Sequence, residues 1–134
     1  MTGKIAVDTN VMLYGIDLDA PDKLEIAVRL LDLAPVICSQ NVSEFINVLL
    51  KRWKYPKEKI GMIITEVLNT CKLFPNTYST YLNAVDLANK YQFQIFDAII
   101  VAAALEAGCE TLYSEDLQHK QVVEGKLTII NPFV

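Results

Sequence analysis

Short apolar runs alternate along this chain with segments of helical spacing. Lys4-Ile5-Ala6-Val7 is a short apolar run that stops at Asp8-Thr9-Asn10, three residues that favour turns and helix caps, so a strand leads into a helix start. Pro21-Asp22 opens a segment in which Leu24, Ala27, Val28 and Leu31 recur at i, i+3, i+4 and i+7, a helix ending before Pro35. Val36-Ile37-Cys38 predicts a second strand, and Ser39 to Asn41 leads into a helix with Val42, Phe45, Ile46, Leu49 and Leu50 on one face. A further helix starts at Pro56 and carries Ile60, Ile63, Ile64, Val67 and Leu68; Lys72-Leu73-Phe74 reads as a third strand before Pro75. Helical spacing returns from about Tyr78 to Tyr91 through Leu82, Val85, Leu87 and Ala88. Asp97 to Ala107 is apolar nearly all round and closes at Gly108, the pattern of a buried helix with a glycine cap. Thr111-Leu112-Tyr113 and Leu127 to Ile130 read as the last strands. Short strands alternating with helices, with no hairpin signal between them, predict an α/β fold with a parallel sheet covered by helices. In such sheets the ligand crevice lies at the carboxyl ends of the strands.

The chain has 134 residues, 52% of them hydrophobic and 21% charged, which fits one domain over 1–134 with a real core and excludes intrinsic disorder. The longest apolar stretch, Ala98 to Leu105, is far below the roughly 20 residues of a membrane span, and the amino terminus carries no basic segment followed by an apolar signal core. A cytoplasmic protein without a membrane is expected. Cys38, Cys71 and Cys109 stand far apart, and an odd count fits a reducing compartment. Cys38 and Cys109, among apolar neighbours, read as small core residues.

His119 is the only histidine, so neither a two-histidine acid/base pair nor a histidine-rich zinc site can be built in one chain. The five glycines match neither of the usual glycine-rich phosphate cradles. Carboxylates are left to carry any chemistry. Asp8 follows the first strand, Glu44 lies in the first turn after the second, Asp97 opens the buried helix and Asp116 follows Thr111 to Tyr113. Each has a plain alternative role. Asp8 can cap a helix, Glu44 complete a capping box with Asn41, Asp97 offset a helix dipole, and Asp116 sit in a solvated turn. Together, four carboxylates at one end of a sheet repel each other unless a cation offsets their charge. All-oxygen ligands favour Mg²⁺ or Mn²⁺, and a carboxylate-held metal can activate water and stabilise charge on a phosphodiester.

Four segments then carry a family resemblance: Val7-Asp8-Thr9-Asn10-Val11, Ser43-Glu44-Phe45, Phe96 to Ala104, and Leu112-Tyr113-Ser114-Glu115-Asp116-Leu117. In this order and spacing they resemble the PIN domain, in its short prokaryotic VapC-type form, over nearly the whole chain. The resemblance implies a three-layer α/β/α fold with a short, mostly parallel central sheet. It implies Asp8, Glu44, Asp97 and Asp116 as metal-binding carboxylates, with Asn10 and Ser114 as polar support. It also implies a Mg²⁺-dependent ribonuclease, commonly the toxin of a toxin–antitoxin pair and commonly a homodimer blocked by a partner antitoxin. Relatives of this form usually have glycine after Leu-Gln-His, where this chain has Lys120.

Five of the twelve basic residues, Lys51, Arg52, Lys54, Lys57 and Lys59, crowd into one stretch with Trp53 and Tyr55 between them. Such a patch suits a phosphate backbone with aromatics for stacking on unpaired bases; Lys51, Arg52 and Lys54 are the candidate RNA contacts. The alternative is a solvated helix end, with Trp53 in the core or a dimer contact. A net charge of −4 is unusual for a nucleic-acid binder, an objection that metal loading and local clustering soften. An aspartyl-phosphate enzyme of the haloacid-dehalogenase kind needs a second Asp where this chain has Asn10, and the adjacent acids of a receiver domain are absent. A catalytically silent PIN scaffold that binds RNA or protein is the remaining alternative, and retention of all four carboxylates disfavours it.

Overall fold

Strand β1 (Ile5–Val7) is followed by α1 (Thr9–Tyr14), α2 (Pro21–Leu31), β2 (Val36–Cys38) and α3 (Ser39–Asn47), which runs on through a π-helical turn at Val48–Arg52. Then come α4 (Lys57–Thr70), β3 (Lys72–Phe74), α5 (Tyr78–Tyr91), α6 (Ile95–Glu106), β4 (Thr111–Tyr113), β5 (Val122–Val123) and β6 (Leu127–Ile130). This computed structural model describes residues 3–134. The strands form one sheet in the order β3-β2-β1-β4-β6-β5, and every neighbouring pair except β5–β6 is parallel.

The central strands β1 and β2 are buried on both faces, and the two-residue period of the strands divides the core accordingly. Ala6, Val36, Cys38 and Leu112 join α5 and α6 on one side. Val7, Ile37 and Tyr113 join α1, α3 and α4 on the other, around Val11, Phe45, Leu49 and Ile60. The architecture is therefore helices, mostly parallel sheet, helices, as expected. Helix α6 supplies an unbroken buried run from Ala98 to Ala104 and stops where Gly108 takes φ +79, a backbone that glycine adopts without strain. Among the described residues no helix is long and apolar enough to cross a membrane. All three cysteines are buried and unpaired.

Three expectations need correcting. A hairpin does exist: Val123 and Leu127 pair antiparallel across a tight turn in which Glu124 and Gly125 both take positive φ, so Glu-Gly acts here as the turn signal. On α5, Leu82 and Val85 are about half exposed, and the core side is instead Thr80, Ala84 and Leu87. The stripe Tyr78, Tyr81, Leu82, Val85 is helical in spacing but faces outward. On α3, Leu49 is buried while Leu50, at the margin of the apolar stripe, is about half exposed. Lys120 takes φ +70, a left-handed backbone that favours glycine.

Candidate active site

The carboxyl ends of β1, β2 and β4 and the start of α6 surround one cleft of about 770 Å³. Asp8 lies at its floor, buried, at the β1–α1 junction. Its backbone N–H continues the ladder to the Tyr113 carbonyl at 2.9 Å, and its side chain caps α1. Oδ1 accepts the Thr9 N–H at 2.7 Å and Oδ2 accepts the Ser114 hydroxyl at 2.7 Å. Burial pushes the Asp8 carboxyl up to about 6; the Ser114 and Thr9 donors oppose this, and the charges of Asp97 and Glu44 add to it.

Glu44 reaches the same cleft from α3. The Thr9 hydroxyl donates to its Oε1 at 2.6 Å and Gln40 Nε2 to its Oε2 at 3.2 Å. The capping box of α3 is made by Cys38 and Asn41, not by Asn41 and Glu44, which leaves Glu44 free for the cleft. Asn41 Oδ1 accepts the Cys38 N–H at 2.8 Å, and its Nδ2 donates to the Thr9 hydroxyl at 3.1 Å. Asn41, Thr9 and Glu44 thus form one chain of hydrogen bonds from the end of β2 into the cleft. Asp97, in the first turn of α6, is half-buried. Burial raises its carboxyl above the usual range, and Glu44 and Asp116 add to the effect. Asp116 is exposed at the rim and accepts from Asn10 Nδ2 at 3.1 Å. All four predicted carboxylates, and Asn10, line this cleft.

The PIN domain profile matches residues 5–125. The chain belongs to the PIN domain family. Solved structures share its fold. VapC20 of Mycobacterium tuberculosis, a sarcin-ricin loop cleaving toxin, is 15% identical with a TM-score of 0.66, over 84% of this chain and 90% of its own. VapBC2 of Rickettsia felis, bound to a DNA fragment from their promoter, is 16% identical with a TM-score of 0.69, over 93% and 96%. A toxin–antitoxin complex from Klebsiella pneumoniae is 18% identical with a TM-score of 0.68, over 96% and 97%. At these identities the likeness is one of fold. No curated protein matches the chain in sequence.

The donors of this PIN domain fit a hard divalent cation in kind: every candidate ligand is a carboxylate oxygen, and the burial of Asp8 beside other acids leaves a charge that a cation would offset. Among the described residues, no three His, Cys, Asp or Glu side chains are grouped into a ready-made cation cluster. One or two carboxylates with waters completing the shell is the arrangement such spacing suits, and it is the usual habit of Mg²⁺.

Of the basic segment, only Arg52 and Trp53 line the cleft; Lys51 and Lys54 do not. Lys59 stacks its ammonium 3.8 Å from the centre of the Tyr55 ring, and Tyr55 in turn packs edge-on against Trp53. His119 Nδ1 accepts the Asn131 N–H at 2.9 Å and is not part of the cleft wall.

Of the residues that hold the carboxylates in place, the sequence points to Asn10 and Ser114 but not to Thr9, Gln40 and Asn41. In the sequence Thr9 and Asn41 read as ordinary cap residues, and Gln40 only as part of a helix start. Glu115 was read only as part of a matching segment. Its carboxylate accepts from Tyr14 at 2.7 Å and pairs with Lys23 of α2, whose ammonium also lies 4.7 Å from the Tyr14 ring centre. Its backbone N–H donates to Asn10 Oδ1 at 3.3 Å. The loop carrying Asp116 is thereby pinned to α1 and α2.

Proposed function

We propose that this PIN domain, residues 1–134, is a Mg²⁺-dependent endoribonuclease, with Mn²⁺ able to substitute, and the toxin of a toxin–antitoxin pair. The observation that carries the reading is the convergence of Asp8, Glu44, Asp97 and Asp116 on one cleft from four separate segments, with Asp8 buried. These four residues would hold the metal, one or two of them directly and the others through its waters. Bound there, a divalent cation supplies a positive centre that activates water and stabilises charge on the scissile phosphodiester.

The chain's own residues prepare the site. Ser114 and the Thr9 N–H favour the ionised form of Asp8 against its burial and fix its two oxygens. Thr9 and Gln40 orient Glu44, and Asn10 orients Asp116. Each donor acts on a carboxylate oxygen, so the acidic cluster is arranged before RNA arrives and needs little reorganisation.

The neighbours solved as toxin–antitoxin complexes support a protein antitoxin as partner. A homodimer is supported by the outward stripe of Tyr78, Tyr81, Leu82 and Val85, with Ile95 and Phe96 also exposed nearby in sequence. The three unpaired cysteines suit a cytoplasmic setting.

A second reading, a PIN scaffold that binds RNA or protein without cutting it, draws on the absence of a preformed cation cluster among the described residues. One assay separates the two. Labelled RNA is incubated with wild type and with Asp97→Asn, with Mg²⁺ or with excess EDTA. The ribonuclease reading expects cleavage only by wild type with Mg²⁺; the scaffold reading expects no cleavage in any arm.

A further inference from the structure

The cleft side of α3 runs through Gln40, Ser43, Glu44, Asn47 and Val48, the i, i+3, i+4, i+7, i+8 stripe of an α-helix. Continued unchanged at 3.6 residues per turn, that stripe centres on Lys51 and leaves Arg52, four residues past Val48, beyond its edge. The helix does not continue unchanged. Over Val48–Arg52 it widens into a π turn, in which the Trp53 N–H donates to the Val48 carbonyl, five residues back, at 3.0 Å. The extra residue in the turn delays the stripe by one position. Arg52 therefore takes the place at the cleft wall that an α-helix would give to Lys51, and Trp53 follows it there.

Arg52 is the single Lys, Arg or His among the described residues that line the cleft, facing Asp8, Asp17, Glu44, Asp97, Glu115 and Asp116. Among the described residues, ion pairs are made by Lys23, Arg29 and Lys90, so the Arg52 guanidinium has no carboxylate partner. A phosphodiester strand entering this cleft meets protein carboxylates on most sides and one free guanidinium. The exchange of lysine for arginine matters chemically. The planar guanidinium offers a fork of donors that matches two phosphate oxygens at once, whereas an ammonium offers a point charge on a flexible stem.

We propose that the π turn makes Arg52 the residue that grips a phosphate of the RNA strand and so sets its register in the cleft; this rests on the ribonuclease reading. Lys51 and Lys54, outside the cleft wall, add only diffuse charge.

The test measures affinity of an unstructured, dye-labelled oligoribonucleotide for Asp97→Asn protein, across a salt series, in four further backgrounds: Arg52→Ala, Arg52→Lys, Lys51→Ala, and the exchange Lys51→Arg with Arg52→Lys. Arg52 is exposed, so folding should survive, and circular dichroism checks it. Arg52→Ala should weaken binding by about tenfold and flatten the salt slope by about 0.7, the value for one phosphate contact on a single strand. The exchange variant, with net charge unchanged, should weaken binding about as much as Arg52→Lys. Lys51→Ala should stay within about twofold of its parent. If the exchange variant binds like its parent, or Lys51→Ala costs as much as Arg52→Ala, charge alone matters and the assignment is overturned. Wild-type cleavage in Mg²⁺ separates the two levels. A wild type that cuts RNA beside an Arg52→Ala protein with the same kcat and KM defeats only the role of Arg52, whereas a wild type that neither cuts nor binds RNA defeats the ribonuclease reading and this proposal with it.

Discussion

The Ser114 hydroxyl donates to Oδ2 of Asp8 at 2.7 Å, with both residues buried, joining the loop after β4 to the end of β1. The bond favours the ionised form of a carboxyl that burial, even against this bond, pushes up to about 6. Ser114→Ala should push that carboxyl higher still. At pH 7 the variant should lose about 1.5–3 kcal/mol, the range for a hydrogen bond to a charged group. At pH 4.5, where folded Asp8 is already protonated, the loss should be smaller. Chemical denaturation at the two pH values measures the difference, and an equal loss at both would contradict the account.

Asp8 itself carries a signed pH dependence. Folded, it keeps its proton to about pH 6; unfolded, only to about 3.8. Between those values the folded state binds more protons, so this residue makes stability fall as pH rises, with the penalty complete above about pH 6. The full penalty is about 3 kcal/mol. Asp8→Asn removes it. Measured in EDTA, the stability of Asp8→Asn relative to wild type should climb across that window and then level off. A difference independent of pH would show that Asp8 is not destabilised by its surroundings.

A cation bound by the folded cleft and not by the unfolded chain stabilises by mass action, by about 2.7 kcal/mol at a hundredfold excess over Kd. Protein stripped with EDTA and returned to millimolar Mg²⁺ or Mn²⁺ should melt higher, and Asp97→Asn should show a reduced shift. Melting curves indifferent to both metals would remove the carboxylate metal site.

Lys120 occupies left-handed backbone, φ +70, while its N–H donates to the Ile129 carbonyl at 2.7 Å. Glycine keeps that bond and relieves the Cβ strain, though it adds freedom to the unfolded chain. Lys120→Gly should therefore stabilise the fold by about 0.5–1 kcal/mol without affecting cleavage. A destabilised variant would mean that the lysine side chain does more than occupy an unfavourable turn.

Much of this structure was legible because its central strands are short and apolar, so that the runs at Val36–Cys38 and Thr111–Tyr113 stand out against helical spacing. The carboxylates could be placed at one end of the sheet because parallel topology brings the ends of β1, β2 and β4 together. What stayed hidden depends on which way a periodic stripe faces. Leu82 and Val85 have the spacing of a core face, and spacing does not distinguish a face turned to the sheet from one turned outward. The π turn at Val48–Arg52 leaves no signal in the residue pattern, yet it decides which basic side chain meets the cleft. The Asn41–Thr9–Glu44 chain was invisible for another reason: it joins residues from two β–α junctions through side chains that also serve as ordinary caps.

The central claim, that these carboxylates drive metal-dependent hydrolysis of RNA, is tested most directly by the chemistry of the cut ends. With one histidine in the chain there is no histidine pair to activate a ribose 2′-hydroxyl, so water is the nucleophile in this account. RNA cut by wild type in Mg²⁺ should carry 5′-phosphate and 3′-hydroxyl ends, with no product in excess EDTA or from Asp97→Asn. Ends bearing 2′,3′-cyclic phosphate, cleavage undiminished by EDTA, or a fully active Asp97→Asn protein would contradict it.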